Sequence, residues 1–496
     1  MLAILIITAI LTLYFVNHFY LKRRNLPPGP VPLPFIGNIH LMSSPTANYD
    51  FYEACRRKYG DVFTLWIASR PFVYICGFKL LQDTVVNEGD TFAGRICLGE
   101  FAPVIRGGDY GVVFVDGERW RQTRRFAIQV FRNFGMGKGI MEEKIQLELG
   151  YLVDAIKADI SDTQNPQNLI PKIEITVASI INQLLFGFAY HDSESVAEFT
   201  KVKDILTAHM QTAPKPGTML AFTWPTVTKY LPVLKDYYYL FSGQFYAITD
   251  YVRKQVAAHK DNFDADSEPV DYVDAYLHET SHHEGTYDEE QLVNTCYDIF
   301  IAGQETTANT VIFSILYAMN YPEAQAKLQE EFDRVIGSDR RIGLGDKAEL
   351  PYTQAFINET QRLVNLLPQN LVHRTLQETT IAGYTIPKHT VVVPQISSVL
   401  YDETVFAEPL KFKPERFLAE DGTTIRKVDE LVPFGMGKRQ CLGEALARME
   451  LFVLIANLFN QFKFESEDPA KPPSLTKISG VTIQPEPFKC KVTSRY

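Results

Sequence analysis

The sequence predicts a mainly α-helical protein with small β-sheets (α+β). It is read as one large domain built around a long central helix and preceded by a transmembrane helix. Three observations predict this: an uncharged apolar N-terminal stretch, an apolar-rich segment of about 34 residues between a capping signal and a proline, and β-branched runs too short for a large sheet.

The first element is Met1–Leu21, MLAILIITAILTLYFVNHFYL, with no Lys, Arg, Asp or Glu. About 20 apolar residues cross a bilayer core, so the stretch is just long enough. Lys22, Arg23 and Arg24 follow at once. Positive charge stays cytoplasmic, which predicts a luminal N-terminus and a cytosolic body. A cleaved signal peptide would carry its charge ahead of the apolar run and small residues after it. Here the charge comes after, and Asn17-His18-Phe19-Tyr20 is a poor cleavage site. Pro27, Pro28, Pro30, Pro32 and Pro34 then bar both helix and strand and predict a stiff spacer. The expected division is 1–21 anchor, 22–34 basic and proline-rich linker, and 35–496 body.

The body is long enough to bury a large core around a cofactor cavity. With 49 basic and 59 acidic residues the net charge is −10, which argues against a nucleic-acid partner. None of Cys55, Cys76, Cys97, Cys296, Cys441 and Cys490 forms a C-x-x-C pair. Zinc and iron–sulfur readings therefore lack their spacing, and most of these cysteines read as reduced apolar side chains.

The long helix is expected from Thr286 to Pro322, with capping-box spacing between Thr286 and Glu289. A second helix is expected over Tyr352–Leu367, stopped by Pro368. A third, over Gly443–Phe462, is apolar on most sides and so expected to be buried. Between them, 379–386 and 390–394 flank Pro387-Lys388-His389 and predict a hairpin.

The chemistry concentrates in Pro433-Phe434-Gly435-Met436-Gly437-Lys438-Arg439-Gln440-Cys441-Leu442-Gly443. Cys441 lies just ahead of the glycine that opens a helix, where backbone N–H groups and the helix dipole favour a thiolate. Arg439 adds positive charge. Gly435, Gly437 and Gly443 let a flat ligand approach the backbone, and Phe434 is placed to shield the sulfur. A buried structural cysteine is the competing reading, and the spacing of aromatic, glycines and arginine weighs against it. The pattern F-x-x-G-x-R-x-C-x-G resembles the haem-binding signature of the cytochrome P-450 family, filled here by Phe434, Gly437, Arg439, Cys441 and Gly443. The resemblance implies haem b as cofactor, Cys441 as the axial ligand of its iron, and a haem domain of that family's type.

Further segments resemble the same family. Glu359-Thr360-Gln361-Arg362 is similar to its E-x-x-R, and Arg416 in Pro414-Glu415-Arg416-Phe417 to the third member of that structural brace. The sequon at Asn358 is rejected because the site should be helical and cytosolic. Ala302-Gly303-Gln304-Glu305-Thr306 resembles the oxygen-activation motif, in which Glu305 and Thr306 would relay protons. Helical spacing places Asp298, Ala302, Glu305, Thr306 and Asn309 on one stripe. Trp120 and Arg124 match W-x-x-x-R, and with Arg95, His373 and Arg439 they are implied to hold the two propionates.

The implied reaction inserts one atom of dioxygen into a lipophilic substrate (a fatty acid, a steroid or a xenobiotic) as a monooxygenase of the animal microsomal type. Its electrons would come from NADPH through a flavoprotein reductase, with a b-type cytochrome as supporting donor, at the endoplasmic reticulum membrane. Arg121, Arg125, Arg132, Lys138 and Lys438 are expected to form the docking face. Pocket walls are expected from 96–113, 206–222, 300–307, 367–372 and 478–481. The alternative is a haem-thiolate isomerase or dehydratase acting on lipid peroxides without a reductase, against which the Glu305–Thr306 pair argues.

Overall fold

The computed structural model describes residues 2–42, 49–96, 101–135, 139–161, 166–282 and 288–496. The body is mainly helical, as the sequence predicts, with small sheets at its margins. The long helix spans Glu289–Asn320, 32 residues, or about 48 Å at 1.5 Å per residue. Thr286 lies outside the described residues. The observed cap is Asp288, whose carboxylate accepts the Gln291 N–H at 2.7 Å. This helix packs against Ile170–Phe186, Leu234–Asp261, Pro351–Val364 and Glu444–Gln461, which makes it the axis of the core. Val311, Ile312, Phe313, Ile315 and Leu316 are each at most 1% exposed. Each such side chain contributes roughly 1.5–3 kcal/mol by burial, and Phe313→Ala would cost about 3–5 kcal/mol.

Two element ends differ from expectation. The second helix is Pro351–Val364 and stops before Pro368, because Asn365 turns left-handed at φ 48°. Asparagine tolerates that conformation, and its Nδ2 donates to Ser397 Oγ at 2.6 Å. The third helix runs Glu444–Gln461 and is buried along its C-terminal half.

The hairpin prediction fails in an instructive way. Thr379–Ile381 pairs with Tyr384–Ile386, so the hairpin lies within 379–386. Ala382 and Gly383 form its two-residue turn with φ of 48° and 86°, both left-handed. Val391–Gln395 instead joins a five-stranded sheet, parallel to Arg70–Cys76. Its other neighbour is His373–Arg374, which in turn pairs with Gly94–Arg95. The pairing partner was a long-range segment that local patterning does not reveal. Its register sets Arg95 opposite His373.

The N-terminal helix covers Leu2–Phe19. Ile4–Arg23 is long and apolar enough to cross a membrane, and 6% of it is buried. That exposure excludes a core helix. The proline segment is not a free spacer. Pro28 O accepts the Thr64 N–H at 2.8 Å, and a Cβ on Gly29 would lie 1.9 Å from Thr64 O. Glycine is therefore what lets this segment dock on the Val62–Ile67 strand.

Candidate functional site

The cysteine loop hangs between the first sheet and the Glu444–Gln461 helix. Gly437 has φ 74°, and a Cβ there would meet Val85 O at 1.9 Å. This glycine serves backbone packing rather than ligand approach. Gly435 is also left-handed, with only Asn370 near its Cβ position, at 3.8 Å. The Cys441 N–H donates to Phe434 O at 3.0 Å, and Gly443 caps the helix that follows. The Gly443 N–H points at the Cys441 sulfur. Burial nevertheless pushes the thiol pKa up, with Glu444 adding to the rise and the Gly443 N–H and Arg124 opposing it. The expected lowering by the helix start is thus outweighed. Cys441 keeps accessible surface although it sits deep in the body, as a residue lining an internal cleft does. Phe434 has its ring under Arg448, 4.8 Å away.

The cation whose charge acts on the sulfur is Arg124. Arg124 Nη2 donates to Gln440 O at 2.6 Å. Arg439 turns away, donating to Ala93 O and Val115 O at 2.6 Å each, and stacks 3.8 Å over Trp120. Arg95 Nη1 donates to Leu371 O at 2.7 Å and Val372 O at 3.0 Å. His373 Nδ1–H donates to Phe92 O at 2.7 Å. Burial first, then Arg95 and Arg439, hold His373 well below its ordinary pKa, so it is neutral.

These cations are short of counter-charge. Burial pushes the Arg95 pKa down to about 9 despite Asp116. Burial and Arg95 push Arg439 down to about 8. Among the described residues, Asp116 is the carboxylate of this cluster, shared by Arg374 and Arg439. Arg95 Nε, Trp120 Nε1 and Arg439 Nη1 are buried without a hydrogen-bond partner. Buried donors in this number call for an acceptor. A flat ligand with two carboxylates, such as haem with its propionates, satisfies them, so the residues present fit that cofactor.

The long helix contributes an accessible face. Ala302 is exposed and Thr306 half-exposed, in a helix otherwise mostly buried here, and Thr306 Oγ1 donates to Ala302 O at 2.8 Å. The predicted single stripe splits. Asp298 turns into the core and accepts Arg106 at 2.6 Å and the Val112 and Val113 N–H groups at 2.8 and 2.9 Å. Glu305 also turns inward, ion-paired to Lys203, and Asn309 donates to it at 3.3 Å. The expected neighbours on the cleft therefore reduce to Ala302 and Thr306. Lys203 was legible in part, since it shares a helical face with buried Phe199, Val202, Leu206 and Met210. Arg106 and Asp116 carried no sequence signal.

The brace assembles as predicted in space. Arg362 Nε and Nη2 donate to Glu359 at 2.7 and 2.8 Å, and Arg416 Nε donates at 3.1 Å. Both Glu359 and Arg362 are 0% exposed, which excludes the solvated-pair reading. On the surface, Arg121 and Lys438 flank Asp90 at 3.7 and 2.5 Å, while Arg125 and Arg132 are exposed. Lys138 lies outside the described residues, as do 97–100 of the predicted pocket wall, Cys97 among them.

A helical body with an accessible cysteine at a helix start, beside buried cations short of counter-charge, defines a haem-thiolate class of protein. The profile of the cytochrome P450 family matches residues 27–492. Rat cytochrome P450 2C23 is 35% identical over 483 residues, covering 95% of this chain and 94% of the rat protein. Mouse cytochrome P450 2C44 is 34% identical over all of this chain and 98% of its own. Human cytochrome P450 2A13 is 36% identical over 91% of this chain and 89% of its own. The chain belongs to the cytochrome P450 family. It is a haem-thiolate monooxygenase, and its cofactor is haem b.

Proposed function

We propose that Cys441 is the axial thiolate of the haem iron, and that the enzyme oxidises a lipophilic fatty acid, steroid or xenobiotic with electrons from an NADPH-dependent flavoprotein reductase. The observation that carries this is the group of unpartnered buried donors on Arg95, Trp120 and Arg439 beside the Cys441 loop. Arg95, Trp120, Arg124, His373 and Arg439 would hold the propionates, and Phe434, Gly435, Gly443 and Ala302 would flank the ring. When bound, the haem supplies dioxygen binding and the oxidation itself. As a ligand to the iron Cys441 would be held as the thiolate, which would offset the burial that raises its pKa. Thr306 Oγ1 is the hydroxyl on the cleft face, and Glu305, next in the chain and turned inward onto Lys203, is the neighbouring carboxylate that would relay protons toward it. Val112, Val113 and Ile299 belong to the apolar cluster that also holds Trp120 and Leu442 beside the Cys441 loop, and these apolar surroundings favour a lipophilic substrate.

In this reading residues 1–21 anchor the protein in the endoplasmic reticulum membrane, 22–34 dock the anchor to the body, and 35–496 form the cytosolic catalytic domain. Arg121, Arg125, Arg132 and Lys438 present the reductase face, and a b-type cytochrome is a second donor there. The test supplies reductase, NADPH and isotopically labelled dioxygen with a panel of lipophilic probes. Label in a product supports the reading. Turnover of a lipid hydroperoxide without NADPH, and no label from dioxygen, supports the isomerase instead.

A further inference from the structure

Outside the cysteine cleft, one set of nitrogen and oxygen donors among the described residues can close around an ion. His259, Asp271 and Asp274 each present a ligand atom, and the three atoms lie within 4.8 Å of one another. His259 stands in the last turn of the Leu234–Asp261 helix. Asp271 and Asp274 stand at the start of the Tyr272–His282 helix. The His259 ring is oriented from outside the set. Its Nδ1–H donates to Gln255 O at 2.9 Å, which leaves Nε2 to face Asp271 Oδ2 at 2.8 Å. A backbone carbonyl on the far nitrogen is the customary support of a metal-binding imidazole. Asp271 divides its oxygens. Oδ1 accepts the Asp274 N–H at 3.0 Å and so caps the helix, while Oδ2 stays with His259.

The surroundings add negative potential from several sides. A Cβ on Gly187, the cap of the Ile170–Phe186 helix, would lie 2.8 Å from Asp271 Oδ2, so this oxygen sits at that helix's C-terminal end. The Leu234–Asp261 helix ends at the same corner, and both ends carry negative partial charge. From 261 to 280 the chain has seven carboxylates and no Lys or Arg. Burial first, and then Asp271, push the Asp274 carboxyl pKa up against the pull of His259. The other charged or titratable groups that act here are Lys144, from the Gly139–Ser161 helix, on Asp271, and His278, one turn beyond Asp274, on Asp274. An ion pair of His259 with Asp271 answers one carboxylate and leaves the second.

We propose that His259, Asp271 and Asp274 form a zinc site that ties the Leu234–Asp261 helix to the Tyr272–His282 helix. One imidazole nitrogen with two carboxylate oxygens suits zinc, whereas calcium and magnesium take oxygen ligands. Ligands about 2.1 Å from a tetrahedral ion stand about 3.4 Å apart, so the three atoms need shifts of about 1 Å or less, and water takes the fourth position. The Leu234–Asp261 helix also packs against the long helix, so the ion would brace an element of the core. The oxidation does not pass through this site.

The test uses the full-length, haem-loaded chain with zinc ion alone as the probe, and compares it with His259→Gln and Asp274→Asn. Asp274→Asn keeps the His259–Asp271 pair and the helix cap, so it removes one ligand with the least disturbance of the fold. In equilibrium dialysis at about 10 µM free zinc the natural chain is expected to hold one zinc more than either variant, and each variant to bind at that site at least about tenfold more weakly, because even a supporting partner of a ligand is worth about 10–100-fold. Zinc is expected to slow hydrogen exchange of peptides covering 252–261 and 272–280 at least about tenfold in the natural chain and to leave both variants unchanged. Equal zinc binding in all three chains, or exchange in these peptides that is indifferent to zinc, would overturn the site. Displacement of the zinc by millimolar magnesium would overturn its assignment to zinc.

Discussion

The loop 105–113 is pinned to the long helix by one carboxylate, and Asp298→Asn tests that pin. Asp298 Oδ1 accepts Arg106 at 2.6 Å, while Oδ2 accepts the Val112 and Val113 N–H groups at 2.8 and 2.9 Å. Arg106 and Asp298 side chains are 1% and 2% exposed. An asparagine amide facing the loop would oppose donor to donor twice. Flipped, it would face the guanidinium with the same conflict. Breaking a buried pair costs about 3–5 kcal/mol. Part of the loop stays held, because Gln291 exchanges two 3.0 Å hydrogen bonds with the Gly111 backbone. The loss should therefore appear as local opening. About 4 kcal/mol corresponds to roughly three decades in an opening equilibrium. Hydrogen exchange of a peptide covering 106–116 is expected to accelerate roughly 10²–10³-fold, with a peptide from 311–319 unchanged. Unchanged exchange at 106–116 would refute the pin. Equal acceleration in both peptides would mean that Asp298 stabilises the whole domain, not the loop.

Glu359→Gln should destabilise the haem domain by about 3–5 kcal/mol, because it leaves Arg362 and Arg416 buried without their carboxylate. Denaturant unfolding reads it, and a loss below about 1 kcal/mol would contradict the brace. Arg124→Ala should speed haem transfer to apomyoglobin about 10–100-fold, the worth of one charge-assisted hydrogen bond. Equal transfer rates would remove Arg124 from the propionate contacts. His259 is raised from 6.5 to about 9, first by its hydrogen bond to Asp271 and against burial. A raised folded-state value means that this stabilisation is complete below about pH 6.5 and is lost as pH rises through about 9. After discounting for partial exposure it is about 1–2 kcal/mol. His259→Gln should flatten stability between those pH values, and an unaltered pH profile would refute the assignment.

The parts legible in the sequence were those written in local spacing. The apolar start, the long helix and the Phe434–Gly443 loop each announce themselves within a few turns of chain. The brace was legible as residues, since Glu359 and Arg362 stand one helical turn apart, and the fold then brings Arg416 to them. What stayed hidden depends on pairing across long stretches. Val391–Gln395 chose Arg70–Cys76 over its neighbour, and no local pattern marks that choice. Glu305 was placed by helical period beside Thr306, yet its side chain follows the nearest cation, and Lys203 lies 102 residues away. The Cys441 thiol was expected to be eased toward thiolate by the helix start, but burial, which spacing does not show, outweighs one N–H. The linker was expected to be a stiff extended spacer, but it begins as a 3-10 turn at Leu21–Arg23 and docks on another strand through Pro28 and Gly29, which local composition does not reveal.

The most direct measurement is the absorption spectrum of the reduced, carbon-monoxide-bound protein beside a Cys441→Ala control. A strongly red-shifted Soret band that vanishes in the control is the expected result and establishes sulfur ligation at Cys441. An ordinary Soret position in folded, haem-loaded natural protein, or a red-shifted band that survives in Cys441→Ala, would contradict it.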